Sequence, residues 1–331
     1  MEILAYGVQA DERPLLEKAF AGRHALRCLS VFLNRDTAPL AAGYPVVSSS
    51  VNAELDAGTL AVLAAGGTGL VAQRSTGFNN IDLDAAAGLG LTIARVSHYS
   101  PYAVAEHAWT LALAVNRRLT RAANRSREFD FRLDGLLGRD IHGMTVGVIG
   151  TGKIGECFTR IAAGFGTHLL GWDITPNPAC LDLGLTYTEL PELLSRADLV
   201  SLHVPLLPST HHLIDAAALA RMKEDAILVN SSRGGLVDSA ALVEVLRAGH
   251  LSGVGLDVYE EESGVFFTDQ SIQGITDDTL ARLVTFPQVL VTSHQAYFTR
   301  TAVGQIIDAT VRNIDDFANG RTNGNILVPK G

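Results

Sequence analysis

Three short segments of the chain carry side chains that could bind an anion and move a proton. Arg233 follows the apolar run Ala226–Asn230, and His294 follows the run Val289–Thr292. Carboxylates occur between them, in the segment that begins at Asp257. A guanidinium matches a planar carboxylate through two hydrogen bonds, and a histidine beside a carboxylate is stabilised in its protonated form. The three segments therefore predict a site that binds a carboxylate and protonates an oxygen next to it.

A glycine-rich segment predicts a second site, one for a dinucleotide. The predicted strand Thr145–Ile149 leads into the spacing G-x-G-x-x-G, and a helical pattern follows. Gly150 permits the tight turn, Gly152 lets the backbone approach a pyrophosphate, and Gly155 allows close contact between helix and strand. The N–H groups at the start of the helix would bind the phosphates. The residues expected to contact the cofactor here are Gly150, Gly152, Lys153, Ile154 and Gly155.

An acid after the next predicted strand, His168–Trp172, distinguishes between the two nicotinamide dinucleotides. Asp173 lies 18 residues past Gly155, where a carboxylate can bind both hydroxyls of the adenosine ribose. The same charge would repel a 2′-phosphate, and residues 174–176 include no arginine to bind one. The sequence therefore predicts NAD rather than NADP.

The pattern along the chain predicts an α/β fold that brings these groups together. Short β-branched runs alternate with amphipathic stretches, which is typical of parallel sheets. Ligands bind at the carboxyl ends of such strands, so the three segments can converge. A long helical pattern, Tyr102–Arg127, follows Ser100-Pro101, and we expect it to begin a second domain and to offer an oligomer surface. Residues 260–288 are expected to form a long functional loop with one short helix.

Composition narrows the class of protein. The 331 residues are 47% hydrophobic and 18% charged, enough for two domains with sizeable cores. A net charge of −9 without a basic block disfavours nucleic acid and anionic membranes as partners. The N-terminus lacks the features of a signal peptide, and no apolar run reaches the ~18 residues of a spanning helix. The three cysteines form no C-x-x-C pair. We therefore expect a cytoplasmic protein with reduced thiols.

Taken together, these motifs resemble the D-specific 2-hydroxyacid dehydrogenases, and within that family most closely the bacterial fermentative D-lactate dehydrogenases. The resemblance extends over nearly the whole chain, with the motifs in the same order. Besides the glycine-rich loop, it rests on the segments Arg74–Asp82, Tyr99–His107, Asn230–Gly234, Asp257–Glu260 and Ser293–Tyr297.

The resemblance implies two Rossmann-like or flavodoxin-like parallel-sheet domains with the active site in the cleft between them. Residues 1–100 with 299–331 would form the substrate-binding domain, and residues 101–298 the NAD-binding domain. The C-terminal helix would cross back to the N-terminal domain. The implied reaction is the reversible reduction of pyruvate to D-lactate by hydride from NADH, and we expect a homodimer or homotetramer.

The resemblance also implies roles for single residues. Arg233 would bind the carboxylate and carbonyl of the substrate, His294 would be the acid/base, and Glu262 would hold His294 protonated. Backbone amides around Thr76 and Gly77 would share the substrate carboxylate. Further residues would line the substrate pocket (Tyr99 and Tyr297) or flank the cofactor (His203, Val204, Pro205, Ser231 and Asp257).

Other interpretations stay open at this point. A bulkier substrate, phenylpyruvate or a branched-chain 2-keto acid, is one, because Tyr297 followed by Phe298 stands where relatives often have phenylalanine. A protein that only senses NAD(H) is another, although the lack of tails and of a basic surface argues against it. We expect no metal, because the pair His211-His212 has no third ligand at metal spacing.

Overall fold

The computed structural model describes residues 1–327, and the chain divides into two units. One unit is Met1–Ser100 together with the segment from Phe298 onward, and the other is Pro101–Tyr297. The first boundary lies where the sequence pattern changes. The second boundary lies at Phe298, one residue before the predicted boundary at position 299.

The first hundred residues form five strands, three α-helices and a 3₁₀ helix. In chain order these are β1 (Glu2–Ala5), α1 (Arg13–Phe20), β2 (Ala25–Cys28), the 3₁₀ helix Ala38–Ala41, β3 (Val46–Ser49), α2 (Ala57–Ala65), β4 (Leu70–Gln73), α3 (Leu83–Gly88) and β5 (Thr92–Ala94).

Residues 101–297 continue the alternation of strands and helices. The elements are α4 (Pro101–Asn116), α5 (Leu119–Arg127), β6 (Thr145–Ile149), α6 (Lys153–Gly164), β7 (His168–Trp172), α7 (Pro178–Asp182), β8 (Thr186–Tyr187), α8 (Leu190–Arg196), β9 (Leu199–Leu202), α9 (Ala216–Arg221), β10 (Ile227–Asn230), the 3₁₀ helix Gly234–Leu236, α10 (Ser239–Arg247), β11 (Gly253–Leu256), α11 (Asp278–Leu283) and β12 (Val289–Val291). After them come α12 (Arg300–Ala318) and β13 (Ile326–Leu327), which belong to the first unit.

The first unit is built on a six-stranded sheet in the order β13-β5-β4-β3-β1-β2. Five strands are parallel and only β13 is antiparallel, so the parallel part has the flavodoxin-like order 2-1-3-4-5. Neighbouring residues of β1 belong to different apolar clusters, Leu4 to one and Ile3 to the other. Helix α12 buries Val303, Ile307 and Val311 in the cluster of Ile3. The sheet is therefore covered on both faces, as parallel sheets require.

The second unit contains a seven-stranded sheet in the order β12-β11-β10-β9-β6-β7-β8, with every strand parallel to its neighbours. Counted from β6, this is the Rossmann order 3-2-1-4-5-6 with one further strand. The order of the strands reverses between β6 and β9, which is the place where such sheets bind dinucleotides. The predicted α/β class with two parallel-sheet domains is thus confirmed.

Glycines in β11 let a helix lie close against this sheet. A Cβ at Gly255 would lie 2.8 Å from the Leu111 Cβ, and one at Gly253 would lie 2.9 Å from a methyl carbon of Val115. Both partners are on α4, and five of the ten buried residues of this helix are alanines. Small residues on the strand and on the helix therefore bring α4 into contact with the strand that leads to Asp257.

The prediction of one long helix over Tyr102–Arg127 was wrong, because this segment forms two helices. The break falls between Asn116 and Leu119, where Arg118 has the left-handed backbone conformation φ 50°. The Arg118 guanidinium donates hydrogen bonds to the carbonyls of Val115 and Ser252, at 3.1 and 2.5 Å. Arg118 and Ser252 are 134 residues apart in sequence, so the local pattern could not predict this hydrogen bond.

The helices and the cysteines bear on two expectations from composition. No helix within residues 1–327 has both the length and the apolar character needed to cross a bilayer. All three cysteines lie within this range and are unpaired, with Cys157 and Cys180 buried and Cys28 half-buried.

Candidate active site

The carboxyl edge of the seven-stranded sheet carries most of the predicted functional residues. Six neighbouring strands end in loops on this edge, because all of them run parallel. The residues at these ends are Gly150 after β6, Asp173 after β7, His203 after β9, Arg233 after β10, Asp257 after β11 and His294 after β12. The sheet thus brings the groups that the sequence places far apart to one edge.

The glycine-rich loop has the geometry that its spacing predicts. Gly150 has φ +94°, and a Cβ there would lie 2.7 Å from the backbone of His203. A Cβ at Gly155 would lie only 1.9 Å from the Gly150 carbonyl oxygen, so no larger residue fits. Around Gly152 no atom lies within 4 Å of an added Cβ, and α6 starts at the next residue. The start of α6 therefore presents its backbone N–H groups beside open space, which suits a phosphate.

Asp173 is tied to this loop by hydrogen bonds. Its Oδ2 accepts from the Thr151 amide at 2.6 Å and from the Thr151 hydroxyl at 3.1 Å. The Tyr187 hydroxyl donates to the Thr151 hydroxyl at 2.7 Å, and the Asn177 side chain donates to the Thr151 carbonyl at 2.8 Å. Thr151 therefore fixes the position of the carboxylate. The sequence indicated Asp173 but missed Asn177 and Tyr187, whose contacts with Thr151 span 26 and 36 residues.

Arg233 lies in a short loop between β10 and the following 3₁₀ helix. The Asn230 side chain donates to the Arg233 carbonyl at 2.8 Å, which fixes the backbone of the loop. A Cβ at Gly234 would lie 2.0 Å from the carbonyl carbon of Tyr259, so only glycine permits this contact between loops. The half-buried guanidinium donates to the Ser232 carbonyl at 2.6 Å and forms no ion pair with a carboxylate of residues 101–297.

His294 and Glu262 form the hydrogen-bonded pair that was predicted from the resemblance. The His294 Nδ1 lies 2.8 Å from the Glu262 Oε1, and the other carboxylate oxygen accepts from the Tyr259 amide at 3.2 Å. His294 has the left-handed backbone conformation φ 52°, and its amide donates to the Asp257 carbonyl at 2.7 Å. Such conformations are uncommon outside glycine and concentrate at functional sites. The exposed Glu261 does not share in this pair.

Asp257 anchors the loop that carries His294. Its carboxylate accepts from the amides of Gln295 and Ala296 at 2.9 and 2.8 Å and from the Thr292 hydroxyl at 2.5 Å. The His107 Nε2 lies 3.3 Å from the same carboxylate. Burial acts to raise the pKa of Asp257, but the hydrogen bonds from His107, Thr292 and the Ala296 amide outweigh it and lower the pKa. Asp257 is therefore ionised at neutral pH and holds this loop in place.

The roles of His107 and Thr292 were not predicted. His107 lies on α4, and its Nε2 is 3.1 Å from the Thr292 hydroxyl, 185 residues away in sequence. The only local signal was the position of Thr292, two residues before His294.

Comparisons with known proteins agree with this geometry. The profile of the "D-isomer specific 2-hydroxyacid dehydrogenase, NAD binding domain" matches residues 109–296. The chain is 45% identical to 2-hydroxyacid dehydrogenase homolog 1 of Schizosaccharomyces pombe, over 99% of both chains. It is 42% identical to the D-lactate dehydrogenase of Escherichia coli, over 99% of this chain and 100% of that one. The chain belongs to the D-isomer specific 2-hydroxyacid dehydrogenase family.

A solved structure extends the comparison to three dimensions. The structure described under "Identification of the pyruvate reductase of Chlamydomonas reinhardtii" has a TM-score of 0.93 with this dehydrogenase, at 40% identity and with 98% of each chain covered. The predicted family, fold and NAD-dependent dehydrogenase activity are thus confirmed.

The residues of the dehydrogenase fit NAD at the carboxyl edge. The His203 Nδ1 and the Ser231 Oγ are buried and have no hydrogen-bond partner among residues 1–327. Buried polar atoms are normally hydrogen bonded, so both suit a polar ligand at the ends of β9 and β10. Desolvation lowers the pKa of His203 to about 3, and the ring is therefore neutral. Beside them, Val204 is buried and Pro205 exposed.

In the other unit of the dehydrogenase, the predicted substrate loop is fixed by several hydrogen bonds. Arg95 donates to the Thr76 carbonyl at 2.8 Å, and the Ser75 hydroxyl donates to the Gly77 carbonyl at 2.6 Å. The buried Arg74 at its start pairs with Glu12 at 2.9 Å. The loop is thus well ordered within its own unit, and its contact with substrate stays a prediction.

The two predicted pocket tyrosines lie in different units. Tyr99 belongs to the first unit and Tyr297 is the last residue of the second, and both side chains are half-buried. Their place beside the substrate stays a prediction.

One expectation about metal ligands rested on a wrong premise. We expected no third ligand beside His211 and His212, but the dehydrogenase places Glu260 there. The candidate ligand atoms of the three residues all lie within 4.8 Å of one another. The local sequence pattern could not predict this cluster, because Glu260 lies 48 residues after His212.

Proposed function

We propose that this enzyme is an NAD-dependent D-lactate dehydrogenase that reduces pyruvate reversibly, with His294 as acid/base. The observation that carries the proposal is the 2.8 Å pair of His294 and Glu262, on a strand end two places from the one that carries Arg233. A protonatable pair and a guanidinium without an ion-pair partner in its own unit are the two groups that a 2-keto acid requires. The relatives named D-lactate dehydrogenase and pyruvate reductase support pyruvate as the acid.

Each of these residues has a separate role in the proposed reaction. Bound NADH supplies the hydride that becomes the new C–H bond at the substrate C2. Arg233 holds the substrate carboxylate and polarises the carbonyl. The Nδ1 of His294 is engaged by Glu262, so Nε2 is the nitrogen that gives its proton to the developing alkoxide. In the reverse direction the neutral His294 would take the hydroxyl proton while the hydride passes from C2 to bound NAD⁺, so charge and protons balance.

The cofactor would be held by the loops after β6, β7, β9 and β10 on the same edge. Gly150, Gly152 and the first residues of α6 would bind the pyrophosphate, while Asp173 would bind the adenosine ribose. His203 and Ser231, with their unpartnered buried atoms, would contact the nicotinamide half. The loop at Thr76 and Gly77 would supply backbone amides to the substrate carboxylate.

Initial rates with a panel of 2-keto acids test the proposed substrate. Pyruvate, a branched-chain 2-keto acid and phenylpyruvate are each compared with NADH and with NADPH. We expect pyruvate with NADH to have the highest kcat/KM and the product to be the D-isomer by chiral chromatography. A preference for a bulkier acid would replace lactate in the proposal. Binding of NADH without turnover of any acid would support a sensor instead.

The charge of Glu262 should set the pH range of the reaction. Reduction needs a protonated His294, and the carboxylate at 2.8 Å favours that form. Glu262→Gln keeps the size but removes the charge, so we expect the alkaline limb of the reduction profile to move to lower pH. The acid limb of lactate oxidation should move in the same direction, since oxidation needs the neutral ring. Both limbs are measured as kcat/KM against pH.

Glu261→Gln is the matched control for this experiment. Glu261 is the exposed neighbour of Glu262, so its removal should leave both limbs in place. A shift with Glu261→Gln alone, or with neither variant, contradicts the proposed pair.

Asp173 should determine the choice of cofactor. We expect Asp173→Ala to raise the KM for NADH roughly 10-fold or more, because hydrogen bonds to a charged acceptor are lost. The preference for NADH over NADPH should narrow at the same time, since the repulsion of a 2′-phosphate is removed. Asp182→Ala, which removes an exposed acid at the end of α7, is the control. Equal use of both cofactors by the parent enzyme would rule out this role.

We also propose that the enzyme is a homo-oligomer. A run of large apolar side chains follows α5 and is highly exposed: Phe129 at 84%, Phe131 at 72%, Leu133 at 81% and Leu137 at 91%. Contiguous exposed apolar residues mark interaction surfaces. Light scattering after size exclusion distinguishes dimer from tetramer, and a monomer that persists at high concentration contradicts the proposal.

A further inference from the structure

Two histidines and a glutamate from two loops of the second unit come together. His211 and His212 lie in the loop between β9 and α9, and Glu260 lies in the loop after β11. The Glu260 Oε1 is 2.5 Å from the His212 Nε2 and 3.9 Å from the His211 Nε2. Both ring nitrogens therefore approach the same carboxylate oxygen. We refer to these three residues as the His–His–Glu cluster.

The backbone around the cluster keeps these side chains together. The His212 amide donates to the Gly235 carbonyl at 2.8 Å, and the Thr210 hydroxyl donates to the Pro205 carbonyl at 2.7 Å. A Cβ at Gly234 would lie 2.3 Å from the Glu260 nitrogen, so the loop after β10 packs directly on the Glu260 backbone. The two imidazole rings are stacked, with centroids 3.9 Å apart and planes inclined by 25°. The arrangement is thus set by three loops of one unit.

A shared proton does not satisfy the whole cluster. The hydrogen bond between His212 and Glu260 uses one ring, whereas the His211 Nε2 at 3.9 Å is beyond hydrogen-bond distance from the carboxylate. Imidazole nitrogen and carboxylate oxygen are common ligands of Zn²⁺ and of neighbouring first-row divalent ions. A tetrahedral Zn²⁺ with bonds of about 2.0–2.1 Å keeps its ligand atoms roughly 3.3 Å apart. The observed separations lie on either side of that value, so small side-chain rotations suffice to bind an ion.

We propose that the His–His–Glu cluster binds a divalent first-row transition metal ion, with Zn²⁺ as the ion of first choice. The ligands are the Nε2 atoms of His211 and His212 and the Oε1 of Glu260. The His211 side chain is 55% exposed, which leaves room for water as a fourth ligand.

The position of the cluster gives a bound ion a structural consequence. Glu260 precedes Glu262 by two residues, and Gly234 follows Arg233 directly. A metal ion at the cluster joins the loop after β9 to the loop after β11, on which Gly234 packs. It should therefore stabilise the folded enzyme, since a ligand that binds only the folded state raises its stability.

Titration of the metal-stripped full-length enzyme with Co²⁺ tests the proposal directly. Co²⁺ serves as the probe because its visible absorption reports nitrogen and oxygen ligands in a low-symmetry site, and Zn²⁺ is then added to displace it. We expect one Co²⁺ per chain, displacement by Zn²⁺, and a rise in Tm with either ion. His211→Gln should weaken binding by more than the roughly 10–100-fold that is typical of losing an outer-sphere partner.

Three further variants separate this site from others. Glu260→Gln should also weaken binding, but it removes a hydrogen bond of the metal-free protein as well. His211→Gln is therefore the decisive variant, because His211 is exposed and its loss should not affect folding. His168→Gln removes another exposed histidine and should bind Co²⁺ like the parent. His294→Gln should also retain the ion, which excludes binding at the His294–Glu262 pair.

Two results would overturn the proposal. One is a parent enzyme that binds no Co²⁺ or Zn²⁺ when the ion is in large excess. The other is a His211→Gln variant that binds as tightly as the parent, whether or not His294→Gln has lost the ion.

Discussion

His294→Gln should reduce kcat for pyruvate reduction by about 10²–10⁴-fold, the usual contribution of a general acid. Glutamine keeps a polar side chain of similar length but cannot deliver a proton to the alkoxide. NADH binding should be unchanged, because the groups proposed to hold the cofactor follow other strands. The split is measured as kcat by single-turnover kinetics and as the Kd for NADH by fluorescence.

The backbone of the His294 loop should be unaffected by this substitution. Its amides bind Asp257, and neither bond involves the imidazole, so the loop should survive the substitution. An unchanged thermal unfolding curve checks that point. A variant with nearly full activity would show that another group supplies the proton, and lost NADH binding would indicate a structural role for His294.

Arg233→Lys should reduce kcat/KM for pyruvate by about 10- to 150-fold, which corresponds to roughly 1.5–3 kcal/mol for one hydrogen bond to a charged group. Lysine retains the positive charge but loses the planar, two-pronged geometry. Because a carboxylate is present in both the ground state and the transition state, part of the effect should appear in KM. Steady-state kinetics with pyruvate at saturating NADH measures both parameters.

Arg247→Lys is the matched control for this substitution. Arg247 lies on α10 in an exposed ion pair with Glu244 at 2.7 Å, where arginine and lysine should be equivalent. Unaltered kinetics in Arg233→Lys would show that Arg233 is structural. A fall in activity for Arg247→Lys as well would point to a general effect of the substitution on the fold.

The sequence indicated those parts of the site that depend on short spacings. The strand β6, the glycine-rich turn and the start of α6 occupy eleven consecutive residues, and each glycine has a steric reason that can be stated before the structure is known. Asp173 was predicted in the same way, from its distance after Gly155. The resemblance to the family added the pair of His294 and Glu262, which spacing alone could not connect.

Weakly patterned elements were missed for a physical reason. The edge strand β2 has two exposed and two half-buried residues and pairs with a single neighbour, β1. None of its four residues, Ala25–Cys28, is β-branched or aromatic, so the segment lacks the composition on which strand prediction depends. The strand β8, Thr186–Tyr187, has only two residues, too few to show an alternation.

What the sequence determined by itself was the α/β class, the dinucleotide loop and NAD as the cofactor. Only the tertiary structure decided which side chains support them. Arg118 ends a helix because the Ser252 carbonyl accepts its hydrogen bond, and His107 supports the His294 loop through Thr292 and Asp257. Glu260 likewise meets His211 and His212 only in the fold. Such contacts depend on the order of strands in the sheet, which brings together residues 48 to 185 positions apart and leaves no periodicity in the chain.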